Sequence, residues 1–421
     1  MNNNNSSDVS TTTANSNASR PVPRANTGSG LLDFLADTGL MLLQAERRID
    51  PFLRPAFDAL LRDKLAEWTT ALINHHRKDE GYAIAEERLL PDEEAWTDSI
   101  VKSFTQQMSD LWKPGGYERG GNTKTQGIVR GEFIVHDGLP EHMRRGIYAR
   151  PQTFRCWVRF SGPGPYITPD IDDVGFMSIS IKLMGVDGPK LLDDEKHTLD
   201  MFGVSTATFV TPDVKANAAL QLWSVKNAQV FYFLNLRAPH VLDMIMQSLY
   251  TKTQSSPFEA PYFSCVPYLM GEGQAMSYSI WPTSSTKTRV PRLPFRPPDD
   301  YLRTAMVASL SEADVELEVR VQMQTDPHLM PIENAGVLWP EELSPRVPVA
   351  TLRLPRQTFD SPAQMEFAKR LSFNPWHTIA EHRPLGNQSR ARKRMYSELS
   401  QLRHRMNSVP HYEPTGDEQF T

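Results

Sequence analysis

Cysteine is nearly absent from this chain, whose 421 residues carry two, Cys156 and Cys265. Two thiols cannot build a disulfide scaffold, and their spacing matches no metal-ligand pattern. Such sparing use fits a reducing compartment. Charge of one sign is also missing: 45 basic and 50 acidic residues leave a net charge of -5. That balance offers no global attraction to nucleic acid. No apolar run reaches the roughly 20 residues of a membrane-spanning helix. The most apolar early segment, Leu31–Leu43, is interrupted by Asp33 and Asp37. Residues 1–30 form an Asn/Ser/Thr-rich tract with no apolar stretch, read as a disordered tail rather than a secretory signal. The last residues, Gln419, Phe420 and Thr421, are not a peroxisomal address. The expectation is a cytoplasmic chain, with a peripheral membrane contact through the amphipathic 31–43 segment left open.

What is present divides into a helical part and a strand-rich part. Over 31–113 the apolar residues Leu40, Leu43, Phe52, Leu60, Leu61, Leu65, Trp68 and Leu72 recur at helical spacing. Pro51, Pro55 and Pro91 are expected to divide this extension into pieces. His75 and His76 read as a solvated helix end. From Pro114-Gly115-Gly116 strand signals take over. Phe154, Cys156, Val158 and Phe160 alternate with Arg155, Trp157 and Arg159. Met177, Ile179, Ile181 and Leu183 alternate with Ser178, Ser180 and Lys182, and Val315–Met323 repeats the pattern. Period-two alternation predicts strands with one buried face, in an antiparallel barrel or sandwich. Helical insertions are expected around Val214–Ala228 and Ala238–Tyr250, and a Pro-rich connector over Val290–Pro298.

Near the end, Ser389–Met406 reads as a helix with Arg392, Tyr396, Leu399 and Arg403 on one face. An arginine one turn before a tyrosine can favour the anion of a phenol, whose free pKa is about 10, and so make it a ligand for ferric iron. Basic residues also cluster here: Arg390, Arg392, Lys393, Arg394, Arg403 and Arg405. They suit either a solvated helix face or the binding of a buried anionic cofactor.

Five segments in order resemble the heme-dependent catalase superfamily, more closely its catalase-related, allene oxide synthase-type branch. They are YERGGNTKTQGIVRGEF at 117–133, FRCWVRFSG at 154–162, DVGFMSISIKL at 173–183, GVSTATFV at 203–210 and HRPLGNQSRARKRMY at 382–396. The resemblance spans roughly 115–406, so the expected organisation is a tail over 1–30, a helical extension over 31–113, a catalase-like heme-binding domain over 114–406 and a polar tail over 407–421. It implies an α+β fold: an antiparallel β-barrel with N-terminal helices and a C-terminal helix carrying the proximal ligand. It implies heme b as cofactor, Tyr396 as the axial ligand to iron and Arg392 as its charge partner. Arg119, Arg159 and Arg403 match arginines near the heme propionates, and Phe209 an aromatic that flanks the heme. Arg159 shares a strand face with Trp157 and is expected to project into a barrel pocket.

The departures shape the functional expectation. Where catalases carry the distal histidine this chain has Asn122, within Arg119-Gly120-Gly121-Asn122. An amide orients a peroxide but cannot serve as a general base near neutral pH. The distal asparagine falls on Ser205 or its neighbour, and Gln126 is a further candidate to face the pocket. The resemblance thus implies a heme enzyme acting on an organic or fatty-acid hydroperoxide, as isomerase, lyase or peroxidase, rather than an efficient dismutase of hydrogen peroxide. The alternatives are heme binding or sensing without turnover, or residual catalase or peroxidase activity. A homo-oligomer is compatible.

Other polar residues receive plainer readings. His136 reads as a turn-flanking surface residue. His197, with Asp193, Asp194 and Glu195, reads as a solvated acidic loop rather than a metal site. His377 and His382 precede the proximal helix and could shape that side of the heme. Asp170, Asp172 and Asp173 read as a solvated turn before a strand.

Overall fold

The expected alternation builds nine strands: β1 Thr125–Val135, β2 Thr153–Ser161, β3 Ser178–Met184, β4 Thr198–Val204, β5 Tyr262–Phe263, β6 Tyr268–Leu269, β7 Ala275–Pro282, β8 Val315–Met323 and β9 Val347–Leu354. The computed structural model describes residues 19–285 and 287–420. The strands run in the order β5-β4-β3-β2-β1-β9-β8-β7-β6, all antiparallel, and β5 pairs with both β4 and β7. That double pairing closes an eight-stranded barrel and leaves β6 outside it, on β7.

Val158, Phe160, Ile179, Ile181, Met201, Ile280, Val319 and Leu352 point to one side of their strands and fill the barrel interior. The opposite face is not solvated, as alternation alone predicts. Every residue of β3 is buried, polar ones included, because the outer wall of β2–β4 is covered by residues 371–377 and the C-terminal helix. Arg159 lies on this outer wall beside Trp157, so the expectation that it enters the barrel is corrected. Its neighbours Val158 and Phe160 face the filled interior instead.

The helices are α1 Gly30–Phe57, α2 Asp63–His76, α3 Glu93–Leu111, α4 Val214–Ser224, α5 Val230–Phe233, α6 Val241–Tyr250, α7 Tyr301–Glu312, α8 Pro362–Arg370 and α9 Asn387–Asn407. Pro51 and Pro55 lie inside α1 and do not divide it, and a π-turn over Asp58–Arg62 carries it into α2. A proline at 51 leaves the Arg47 carbonyl without its helical donor. Thr253 Oγ1 donates to that carbonyl at 2.5 Å in its place. Along α1, the π-turn and α2, Leu31, Phe34, Met41, Leu42, Phe52, Leu53, Leu60 and Trp68 are each more than half exposed. No helix among the described residues is long and apolar enough to cross a membrane.

Both termini are tied to the body of the protein where they are described. Arg20 N donates to Ile167 O at 2.8 Å and Asn26 N to Lys226 O at 2.9 Å; residues 1–18 of the expected tail lie outside the described residues. At the other end, Glu418 accepts from Trp157 Nε1 at 2.8 Å, and Phe420 packs on Trp157 and Phe367. The C-terminal segment is a strap across β1 and β2.

Candidate active site

Helix α9 is positioned by its first turn. Gly386 has φ +85, and a Cβ there would meet Ile332 O at 2.4 Å, so only glycine fits. Arg390 then reaches Glu93 at 2.7 Å, Glu87 at 2.8 Å and Glu333 at 3.0 Å. Burial opposes its charge, but Glu93 and Glu333 overcome it and raise its pKa. The anchored helix lays Met395, Tyr396, Leu399, Ser400 and Arg403 against the outer barrel wall. Together with Arg119, Asn122, Arg159, Ser180, Phe202 and Phe373 they line a cleft of about 690 Å³.

Three guanidiniums meet in this cleft without an acid. Arg159 is 1% exposed and Arg403 4% exposed, and neither they nor Arg119 has a carboxylate within 4.0 Å among the described residues. Carbonyls and hydroxyls hold them instead. Arg119 Nη2 donates to Ala368 O at 2.8 Å and Leu371 O at 2.5 Å, while its Nη1 is buried without a partner. Arg159 donates to Asn122 O at 2.6 Å and Thr125 Oγ1 at 2.7 Å. Arg403 donates to Leu371 O and Ser372 Oγ, each at 3.0 Å, and also to Lys369 O. The nearest acid, Glu118, pairs with Lys369 at 3.1 Å. Burial, then mutual repulsion, pushes Arg159 and Arg403 well below the usual arginine range, and burial brings Arg119 down to about 10. Buried like charges are costly unless an anion joins them. A ligand with two carboxylates fits this set.

Tyr396 lies in the same cleft, edge-on to Phe202 with ring centroids 5.6 Å apart. Asn122 lines the cleft at φ +52, and its Oδ1 accepts from Ser178 Oγ at 2.7 Å. That bond commits the oxygen and leaves the amide nitrogen as the free end, a donor.

Four other candidates lie elsewhere. Arg392 does not line the cleft; its guanidinium stacks 4.7 Å from the centre of the Phe209 ring instead of bonding the Tyr396 hydroxyl. Phe209 is likewise outside the cleft, held by its N–H on Ala335 O at 2.9 Å. Gln126 is a correction: its Nε2 donates to Asp170 Oδ1 at 2.8 Å, in a buried cluster where Lys124 pairs with Asp170 at 2.7 Å. Ser205 is another, because its hydroxyl accepts from Met177 N at 2.8 Å and ties a turn to β3.

Sequence reading missed Phe104, Phe202, Phe373 and Ser180 in the cleft wall. Only Ser180 carried a signal, as a polar residue on an alternating strand whose outer face proves to be buried.

The acidic segments also differ from their readings. Asp170 is buried rather than solvated. His197 is exposed, but Glu195 is buried and joins Asp200 and His377, with ligand atoms within 4.8 Å of one another. Lys182 already occupies this cluster, 2.8 Å from Asp200 Oδ1 and bonded to Glu195. The cluster is an ion-pair network that fastens residues 374–377 over β3 and β4. His382 serves structure too: its Nε2 accepts from Ile147 N at 3.0 Å.

No family model and no curated protein sequence matches the chain. Solved structures do. A fungal catalase matches with a TM-score of 0.55 and 15% identity over 82% of this chain and 70% of its own. Catalase A from Saccharomyces cerevisiae matches with a TM-score of 0.56 and 15% identity, over 82% of this chain and 72% of its own. A bacterial catalase gives 0.52, with 14% identity over 82% and 70%. The chain has the fold of the catalases: an antiparallel β-barrel wrapped by helices.

Proposed function

We propose that the chain is a heme-dependent enzyme acting on a peroxide, with an organic hydroperoxide rather than hydrogen peroxide as its main substrate. The observation that carries this reading is the set of three acid-free guanidiniums, those of Arg159 and Arg403 buried and that of Arg119 partly so, in the cleft that also holds Tyr396. Arg119, Arg159 and Arg403 would hold the two propionates of heme b, and Tyr396 would ligand its iron. Phe104, Phe202, Phe373 and Met395 supply apolar surface for a flat macrocycle. When bound, heme supplies the redox chemistry that breaks a peroxide bond.

The chain's own contribution is orientation. Asn122 offers an amide N–H to a peroxide oxygen, fixed in that direction by Ser178. It offers no group able to take a proton from one oxygen and return it to the other. General acid–base help is worth roughly 100- to 10,000-fold, so a reaction that needs that transfer is slow here. Homolytic cleavage, or rearrangement of an organic hydroperoxide by an isomerase or lyase route, does not need it. The exposed apolar face of α1 and α2 suits contact with a lipid surface, where such substrates reside. Vesicle flotation of the full chain tests that contact, and self-association in its place would remove it.

The test of the function is the hemin-loaded protein supplied with hydrogen peroxide or a fatty-acid hydroperoxide. Faster consumption of the organic substrate is expected. Equal inertness towards both would replace this reading with heme binding without turnover.

A further inference from the structure

A second cavity lies on the other side of the 163–164 segment from Asn122. Helix α1, the 164–176 loop and helices α4–α6 frame a cavity that opens to solvent, with about 1630 Å³ of free space counting its mouth. Its wall is largely apolar, with Leu40, Leu43, Val210, Val230, Phe233 and Met244 among the lining residues. One cation enters it. Arg47, on the inner side of α1, is 3% exposed, yet its Nε and Nη1 are buried without a hydrogen-bond partner. Only Nη2 is used, donating to Val174 O at 2.6 Å.

The acids nearby do not satisfy it. Glu46 approaches no closer than 4.0 Å, with a side chain 52% exposed. Asp172 pairs with Arg48 at 2.8 Å, and Asp173 Oδ1 accepts from Val174 N at 2.8 Å. Gly175 makes room for the guanidinium, since a Cβ there would fall 1.5 Å from Nη1. Burial lowers the Arg47 pKa, although Glu46, Asp50 and Asp173 act in the opposite direction. Nε–H and Nη1–H leave opposite sides of the guanidinium, so each can take one oxygen of an anion in a single charge-assisted bond. A small inorganic anion would leave the large apolar volume unused.

We propose that this cavity binds a long-chain carboxylate, with one head-group oxygen on the Arg47 guanidinium and its hydrocarbon tail along Leu40, Leu43, Val230 and Phe233. Gly164 lines the cavity, and its carbonyl accepts from Thr123 N at 3.1 Å, while Pro163 O accepts from Asn122 N at 3.0 Å. The bound chain is thereby held one segment away from the catalytic cleft. Its role as the seat of the substrate rests on the hydroperoxide reading above; the binding itself does not.

The test is calorimetric titration of the full chain with oleate and with oleyl alcohol, which lacks the carboxylate, both below their aggregation limits. Oleate is expected to bind roughly tenfold or more tighter than the alcohol. Arg47→Met should remove that preference and leave alcohol binding unchanged, and its thermal midpoint should stay at or above that of the parent, because an unpaired buried charge has been removed. Val230→Trp should weaken both ligands by filling the cavity. Equal affinity for oleate and alcohol in the parent chain, or an oleate affinity indifferent to Arg47→Met, would overturn the assignment. The same titrations on Tyr396→Phe keep the two proposals separate. Oleate binding that depends on Arg47, in a protein that consumes no hydroperoxide, would leave this site standing and reject the catalytic reading.

Discussion

Arg119 and Arg403 converge on one backbone oxygen: Nη2 of the first lies 2.5 Å from Leu371 O, and Nη2 of the second 3.0 Å from it. Two full positive charges share a neutral acceptor, with Arg159 completing the group and no acid among them. At the far end of the same helix Arg390 touches three carboxylates. The contrast separates an arginine that fastens structure from arginines that await an anionic ligand.

The first prediction concerns that anion. Hemin dimethyl ester, whose propionates carry no charge, should bind at least about tenfold more weakly than hemin, since hydrogen bonds to charged groups are worth roughly 1.5–3 kcal/mol. Arg159→Leu should narrow the difference. Equal affinities for the two porphyrins, measured by absorbance titration, would deny the arginines this role.

Asn122→His should raise oxygen evolution from hydrogen peroxide by roughly 100- to 10,000-fold in the hemin-loaded protein. Position 122 sits at φ +52, where histidine is among the better tolerated side chains. A rise of less than twofold would mean that something other than the missing base limits dismutation.

Stability should fall on both sides of neutrality. Burial lowers the His382 and His404 pKa values to about 4 from an unfolded value near 6.5. The unfolded chain therefore binds their protons first. Their neutral forms support the fold fully above pH 6.5, and that support is lost as pH falls towards 4. His377 is the reverse case. Burial opposes its charge, but Asp194 and Asp200 overcome it and raise the pKa to about 9. Its contribution is complete below pH 6.5 and is lost as pH rises through 9. Urea midpoints across this range should peak near neutrality, and His377→Asn should flatten the alkaline side. An unchanged alkaline decline would remove His377 as its source.

The C-terminal strap depends on Glu418, whose carboxylate accepts from Trp157 Nε1 at 2.8 Å, Tyr412 OH at 2.9 Å and Gly416 N at 3.0 Å. Glu418→Ala should cost about 1–3 kcal/mol by leaving buried donors unpaired, read as a lower urea midpoint with an unchanged slope. A cost under about 0.5 kcal/mol would show that the strap contributes little.

The barrel was legible because alternation survives wherever one strand face meets an apolar interior. What alternation cannot show is what lies on the other face. Ser178, Ser180 and Lys182 read as solvent-facing, yet residues 371–377 and α9, distant in sequence, bury them. Tyr396 and Arg403 could be placed together because helical spacing is rigid, and both line the cleft. Gln126 could not be placed, because a bulge sets two residues, Gln126 and Gly127, in β1 against Phe160 in β2 and shifts the register there. Arg392 was assigned through its spacing from Tyr396, but spacing does not reveal the competing Phe209 ring, which comes from another part of the chain. Arg47 gave no sequence signal, since its isolation arises only where α1 meets the 164–176 loop.

The central claim is that Tyr396 and the arginine trio together hold a porphyrin, and hemin titration of the apoprotein tests it most directly. The parent chain should take up one hemin per chain with the absorption spectrum of a ferric phenolate complex. Tyr396→Phe should lose that spectrum while keeping its fold, as judged by circular dichroism. An identical spectrum and affinity in the variant, or a parent chain that binds no hemin, would contradict the account.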